Sequence, residues 1–444
     1  MNDSEIFSRL RCGRRIGRML LHVPVAMGAG LVLPALSFAG EKAAAAPDPG
    51  DTAWMMVSTA LVLLMLPGLA LFYGGMVRKK NVLSSMMHSF VAMAVIGLQW
   101  VVIGYTLSFG PDVGHFVGGL GSAFLKGIGP ATLHGTIPLY IFVMFQGMFA
   151  IITPALISGA VAERMKFSTY VVFILIWSTV VYDPIAHWVW GTGGWLLNLG
   201  ALDFAGGTVV HVSSGISALA AVVILGRRKG FLKTAFFPHN LTLTLLGAGL
   251  LWFGWFGFNA GSALASNGSA ALAFTNTQIA AAAASLSWMF TEWRVQKQPS
   301  ALGAASGIVA GLVAITPAAG FVTPPWAIVI GLAAGVICYF AVMLKSRAGY
   351  DDSLDAFGVH GVGGTFGAIA TGLFATVGGT GLIGGNGRQL LVQLTAVGAT
   401  ALYAFVLTLV ILWVLDKTMG IRVSDEEELR GLDETQHGEH GYHD

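Results

Sequence analysis

"GALDFAGGTVVHVSSGISALAAVV", Gly200 to Val223, sets one aspartate, Asp203, and one histidine, His211, in a run of small and apolar residues. As part of a soluble helix it is too uniformly apolar to show a polar face; as a membrane span it carries an ionisable ring where such groups are costly and by default functional. Composition chooses between the two. The 444-residue chain is 55% hydrophobic and only 10% charged, with a mean hydropathy of +0.73, which excludes an ordinary soluble domain and leaves a polytopic all-α membrane protein. The 60 glycines suit helices that must approach closely where lipid offers no hydrophobic drive. A net charge of +2 gives no global field for nucleic acid.

Eleven apolar stretches are expected to span: 53–77, 82–107, 138–157, 168–187, 208–225, 240–259, 271–291, 302–316, 325–344, 358–376 and 389–415. With an outside start, the loops that fall inside carry thirteen basic residues, among them Arg78, Lys79, Lys80, Arg164, Arg227, Arg228 and Lys345, against Lys126 and Arg388 outside. That split follows the positive-inside rule and places the tail, 416–444, in the cytoplasm. Before the spans, five arginines from Arg9 to Arg18 precede an apolar run and the small residues "SFA" at 37–39. This reads as a signal peptide, residues 1–39, whose removal would leave a periplasmic leader, 40–52, with a retained first helix as the alternative. Cys12 falls in that signal and Cys338 in a span, so no internal disulfide is expected in the mature chain.

Eleven decomposes into five, five and one: a first repeat over 53–225, a second over 240–376 and a last helix at 389–415. "PGLALFYGG" (67–75) loosely echoes "GAGLLWFGW" (247–255), and "LDFAGGTVVH" echoes "LDAFGVH" (354–360), which pairs Asp203 with Asp355. Five spans apart, the halves would be inverted, and such repeats place their sites near the midplane at the repeat interface. His211 lies eight residues beyond Asp203, on the order of 12 Å along a helix, and so near the centre of a core about 30 Å thick. His360 would approach from the other side. Each ring alone could be a core histidine satisfied by a carbonyl; the matched pair points to proton exchange or binding. Asp203 could ligate a cation or cap a helix start, and the Phe-Ala-Gly-Gly after it favours the cap.

The string from Asp203 to His211 resembles the signature of the ammonium transporter (Amt/Mep/Rh) family. "FQGMFA" (145–150), "GAVAERMKF" (159–167), "YDPIAHWVWG" (182–191), "GWFGFNAGSA" (254–263) and "DDSLDAFGVHGVGG" (351–364) resemble it equally. The likeness implies an eleven-helix fold with an inverted five-helix repeat, assembled as a homotrimer with one pore per subunit. It implies site roles residue by residue: Phe149, Trp190 and Ser262 as an outer cation site, with Ala205 offering a carbonyl; Phe145, Phe149 and Phe258 as a phenyl gate; His211 and His360 as twin pore histidines flanked by Trp255 and Thr316; Asp203 as the required acid; and Gln146 as a neighbour of the cation site. Met148 and the "WGTGGWLL" loop depart from the family pattern. Trp190 with Ser262 resembles the Amt branch more than the Rh branch.

The chemistry fits those roles. Ammonium has four donors, and a hydroxyl with aromatic faces can hold it through cation–π contacts of about 0.5–2 kcal/mol each. The expected activity is electrogenic transport: ammonium recruited outside, deprotonated at the gate, ammonia passed down an apolar pore and the proton through the histidines. No cofactor, metal, enzymatic reaction or nucleic-acid partner is expected; lipid, other subunits and a PII-type signalling protein at the cytoplasmic face are. The resemblance implies that the tail, with the loop holding Asp352 and Asp355, couples subunits and docks that protein. Other readings are a haem held by His211 and His360, a hydrolase using Ser213 or Ser214, and an ammonium sensor with little flux. The tail's charge run reads as a solvated surface and its His437, His440 and His443 as compositional bias. The expected location is the inner (plasma) membrane, with the mature N-terminus periplasmic. A reporter fused after Ser424 should be active only in the cytoplasm, and one inserted between Phe109 and Thr136 only outside; inverted activities would overturn the helix count.

Overall fold

A computed structural model describes residues 46–442. The expected signal peptide, residues 1–39, lies outside the described residues, as does His443. All eleven expected spans are helical: α1 Pro49–Met76, α2 Lys79–Phe109, α3 Leu139–Val161, α4 Phe167–Leu199, α5 Gly207–Leu225, α6 Leu241–Gly261, α9 Pro324–Ala348, α10 Phe357–Phe374 and α11 Gly387–Thr418, with α7 Gly268–Gln296 and α8 Ala301–Ile315 between α6 and α9. Among the described residues, α1 to α6 and α9 to α11 are long and apolar enough to cross a membrane by themselves; α7 is diluted by Ser, Thr, Asn and Gln, and α8 has 15 residues. Leu98, Leu286, Phe290 and Leu402 are more than 60% exposed, as a lipid-facing coat requires.

Small residues set the crossings. A β-carbon on Gly68 of α1 would press on Leu250 and Gly247 of α6, one on Gly247 would strike the backbone of Phe72, and one on Gly257 would strike Ser58 and Leu61. Passing from Ser58 to Phe72 along α1, the partners run backward from Gly257 to Gly247, so α1 and α6 are antiparallel. The same holds for α5 and α10. Gly215 rests on the backbone of Gly361, and Gly364 rests on Gly207 and His211. The first and last helices of the two halves therefore meet head to tail, as the inverted five-helix repeat demands.

Both α5 and α10 open with a wide π-helical turn, Gly207–Val212 and Phe357–Gly361, and each turn holds its histidine. Such turns recur at functional sites. The register of the internal echo differs from the expected one. Asp352, eight residues before His360, is the counterpart of Asp203, and its carboxylate accepts from the N–H groups of Ala356 at 3.1 Å and Phe357 at 2.8 Å. Asp355, matched to Asp203 by the shared Leu-Asp pair, instead has a φ of +63° and pairs with Lys345. A cap needs its carboxylate one turn ahead of the free N–H groups, and only Asp352 has that spacing.

The basic loops gather on one face. Glu163, 3% exposed, accepts from the backbone N–H and guanidinium of Arg78, from Asn81, and from Arg228 at 2.9 Å, while Arg228 also clasps Asp351. The tail joins this face and is not simply solvated. It forms two short helices, α12 (Asp425–Arg430) and α13 (Leu432–His437), in which Glu428 and Asp433 are buried, the first paired with Arg422 and accepting from Lys229 N–H, the second accepting from Ser84 N–H. Its apolar neighbours Ile421, Val423 and Leu432, all buried, supply what the charge run hides.

Burial works to raise the Glu163 carboxyl, but the charge of Arg228 and the bonds from Arg78 win and hold it down to about 2. A carboxyl depressed by folding stabilises the fold above its unfolded value, ~4.3, and loses that contribution as pH falls toward its folded value. The melting temperature of detergent-solubilised protein should therefore drop between pH 4.5 and 2. Glu163→Gln should flatten that slope and cost about 3 kcal/mol at neutral pH, because two guanidinium groups lose their shared partner. Equal pH profiles for the two proteins would contradict the assignment.

Candidate functional site

The site begins with a problem at the start of α5. Gly206, at a φ of +108°, turns the chain into the helix, and the first N–H groups have no partner in the preceding turn. The Asp203 carboxylate takes four of them, from Gly206 at 2.9 Å, Gly207 at 2.6 Å, Thr208 at 2.8 Å and Val209 at 3.0 Å. A carboxylate offers about four acceptor positions, so none is left for a cation, and capping is the role realised. The backbone carbonyl of Asp203 accepts the Trp190 indole N–H at 2.9 Å. One residue thus fixes both a helix start and an aromatic wall.

Above it lies a vestibule of about 410 Å³. Its lining brings together Phe149, Trp190, Ser262, Gln146 and Asp203, which are spread over more than a hundred residues of sequence. Trp190 meets Phe149 edge to face at 5.9 Å. The Ser262 hydroxyl donates to Phe258 O at 2.9 Å, which leaves its oxygen lone pairs able to accept from a donor in the cavity. Ala205 is buried beside the turn and does not line the cavity. Tyr105, Phe109, Phe142 and His134 form a further part of the wall; the His134 ring lies flat on Phe142 at 3.8 Å. Sequence reading missed these four, because aromatic residues near a membrane surface look like any aromatic belt.

Phe149 and Phe258 close the floor, stacked at 4.2 Å and 28°. Phe145 packs edge to face on Phe149 at 5.0 Å and lines neither the vestibule nor the space below, so it buttresses the stack from the side. Beneath, a narrow passage of about 10 Å³ is walled by Phe258, Trp255, Leu69, Ile152 and Val309, with His211 and His360. That is close to the least space that holds one water-sized molecule.

The two imidazoles lie nearly parallel, centroids 5.3 Å apart, with Nδ1 to Nδ1 at 3.3 Å. A bond between two such nitrogens needs one as donor and the other as acceptor. One ring is then left with an Nε2 lone pair and the other with an Nε2–H. Among the described residues, His211 Nε2 has no hydrogen-bond partner. Trp255 stacks on His211 at 5.5 Å and is held by its indole N–H to Thr316 Oγ1 at 2.9 Å, and that hydroxyl in turn donates to Leu312 O. With Nδ1 facing Nδ1, the Nε2 atoms cannot converge on a single haem iron. Ser213 and Ser214 donate to the carbonyls of Val209 and Val210, Ser214 also to that of His211 at 3.5 Å, and among the described residues neither hydroxyl bonds an imidazole nitrogen that could activate it.

A profile of the Ammonium Transporter Family matches residues 53–442. The chain is 53% identical over 403 residues to a protein named ammonium transporter from Bacillus subtilis (strain 168), covering 89% of this chain and 99% of that one. Among solved structures it is similar to Mep2 of Saccharomyces cerevisiae, with a TM-score of 0.81 at 37% identity over 86% of this chain and 89% of that one. It is also similar to a structure titled Sensor Amt Protein, with a TM-score of 0.82 at 32% identity over 86% and 97%.

Removal of the cap should be severe. Asp203→Ala strands four buried N–H groups and should lower the unfolding temperature of the purified protein sharply, whereas Asp203→Asn, which keeps one acceptor oxygen, should fall between Ala and wild type. Wild-type stability in Asp203→Ala would mean that the N–H groups find other partners and that the turn is not built on this side chain.

Proposed function

The chain belongs to the Ammonium Transporter Family, and on that premise we propose that it recruits ammonium in the aromatic vestibule, removes a proton at the phenyl gate, and conducts ammonia and the proton separately past His211 and His360. The observation that carries this reading is the passage below the gate. Its wall is apolar apart from two imidazoles that hydrogen-bond each other. An unpaired cation taken from water into such surroundings is penalised by far more than neutral ammonia is. The vestibule supplies what a cation needs, aromatic faces and a hydroxyl acceptor, and the passage withdraws both.

The stacked Phe149 and Phe258 rings must part to admit a substrate, so the gate opens by side-chain rotation. Ammonia then meets one Nε2 lone pair and one Nε2–H, and can bond to both rings in turn. The proton given up at the gate passes to the free Nε2 lone pair, the shared Nδ1 proton shifts to the other ring, and that ring releases its Nε2 proton inward, so charge follows a second route. An intact potassium ion has no proton to surrender and stays in the vestibule. The transporter works as a homotrimer in the plasma membrane with its basic face and tail in the cytoplasm, and that face docks a PII-type protein. The likeness to the solved Sensor Amt Protein favours a second reading, ammonium sensing with little flux. Flux decides between them.

In proteoliposomes, ammonium should evoke a saturable current and potassium none. His360→Asp should keep part of the ammonium current, since a carboxyl also relays protons, and should admit potassium, since a fixed negative charge can hold an intact cation. Absence of ammonium current from well-folded protein would favour the sensor reading, and potassium current in the wild type would sink the deprotonation route.

A further inference from the structure

We propose that Gln393, on the eleventh helix outside the repeat, is a positioning residue that sets the outer recruitment site by gripping the peptide next to Asp203. Gln393 is fully buried. Its Oε1 accepts the Leu202 N–H at 2.8 Å, and its Nε2 donates to Leu202 O at 2.8 Å. The amide therefore reads both sides of one residue, as a neighbouring strand would. The same Nε2 donates to Ala368 O on α10 at 3.1 Å. One turn earlier, Gln389 donates to Gly200 O at 2.9 Å and to Gln393 Oε1 at 3.3 Å.

The geometry has a direction. Gly200 and Leu202 lie in the irregular segment ahead of α5, where no regular hydrogen-bond ladder fixes the backbone. The next residue is Asp203, whose carbonyl holds the Trp190 indole and whose carboxylate caps α5. A shift of Leu202 moves both. Through Ala368 the clamp also ties this segment to α10, the helix that carries His360. The second half holds the same segment at one backbone point, Phe204 N–H to Pro317 O at 3.1 Å, and the two glutamines give the eleventh helix the grip on Gly200 and Leu202 just ahead of it.

The inference rests on the proposed recruitment of ammonium beside Trp190. Its test measures half-saturation and maximal ammonium-evoked current in proteoliposomes, with unfolding temperature, for Gln393→Leu, Gln389→Leu and Trp190→Leu. Gln393→Leu should raise half-saturation by roughly fivefold or more, the scale of a lost buried hydrogen bond, and retain most of the maximal current. A merely structural glutamine would lower the unfolding temperature and leave half-saturation at the wild-type value, and that result overturns the proposal. Should Gln393→Leu fail to fold, Gln389→Leu carries the test: raised half-saturation supports the role and an unchanged value overturns it. A shift in Trp190→Leu with none in the glutamine variants overturns positioning and leaves recruitment standing; no shift in any of the three overturns both.

Discussion

Every backbone N–H inside a membrane must find an acceptor, and the start of α5 presents four that its own helix cannot supply. Asp203 answers with one carboxylate and four bonds. Its cost is that a carboxylate is buried beside the vestibule; its return is that the positive end of the helix is neutralised there. The Trp190 indole is then hung from the carbonyl of the same residue. Aromatic wall, helix start and buried histidine follow in order along one short segment.

The second half repeats the solution upside down. Asp352 caps α10 as Asp203 caps α5, each eight residues before a histidine, and Gly215 and Gly364 let the two helices touch where the rings meet. With a larger residue at either glycine the backbones would separate, and a 3.3 Å contact between imidazoles could not survive. The twin histidines are thus a product of helix crossing as much as of side-chain chemistry.

Much of this was legible in the sequence because membrane helices announce themselves by long apolar runs, and because the signature around Asp203 and His211 is local. Sequence grouped Phe149, Trp190, Ser262, His211 and His360 through family likeness, and the fold brings them around one path. What was not legible depends on contacts between distant segments. The equivalence of Asp352 with Asp203 was hidden by a coincidental Leu-Asp pair three residues on, since pattern matching aligns letters while capping obeys turn geometry. Phe145 read as a gate wall but stands behind it. Gln393 gave no signal at all: one glutamine in an apolar helix says nothing of the peptide it will meet some 190 residues away. The buried acids of the tail looked solvated because Lys229 and Ser84, whose N–H groups they accept, lie some 200 and 350 residues away in the sequence.

The central claim is that charge and nitrogen take separate routes through the histidine pair. The direct test records current and nitrogen uptake together in proteoliposomes for wild type and for a folded His211→Ala, His360→Ala double variant. The account predicts that both cross in the wild type, and that the double variant passes nitrogen while its current is lost. Current and uptake that remain coupled in the double variant, at the wild-type ratio, would show that ammonium crosses whole and that the imidazoles are packing.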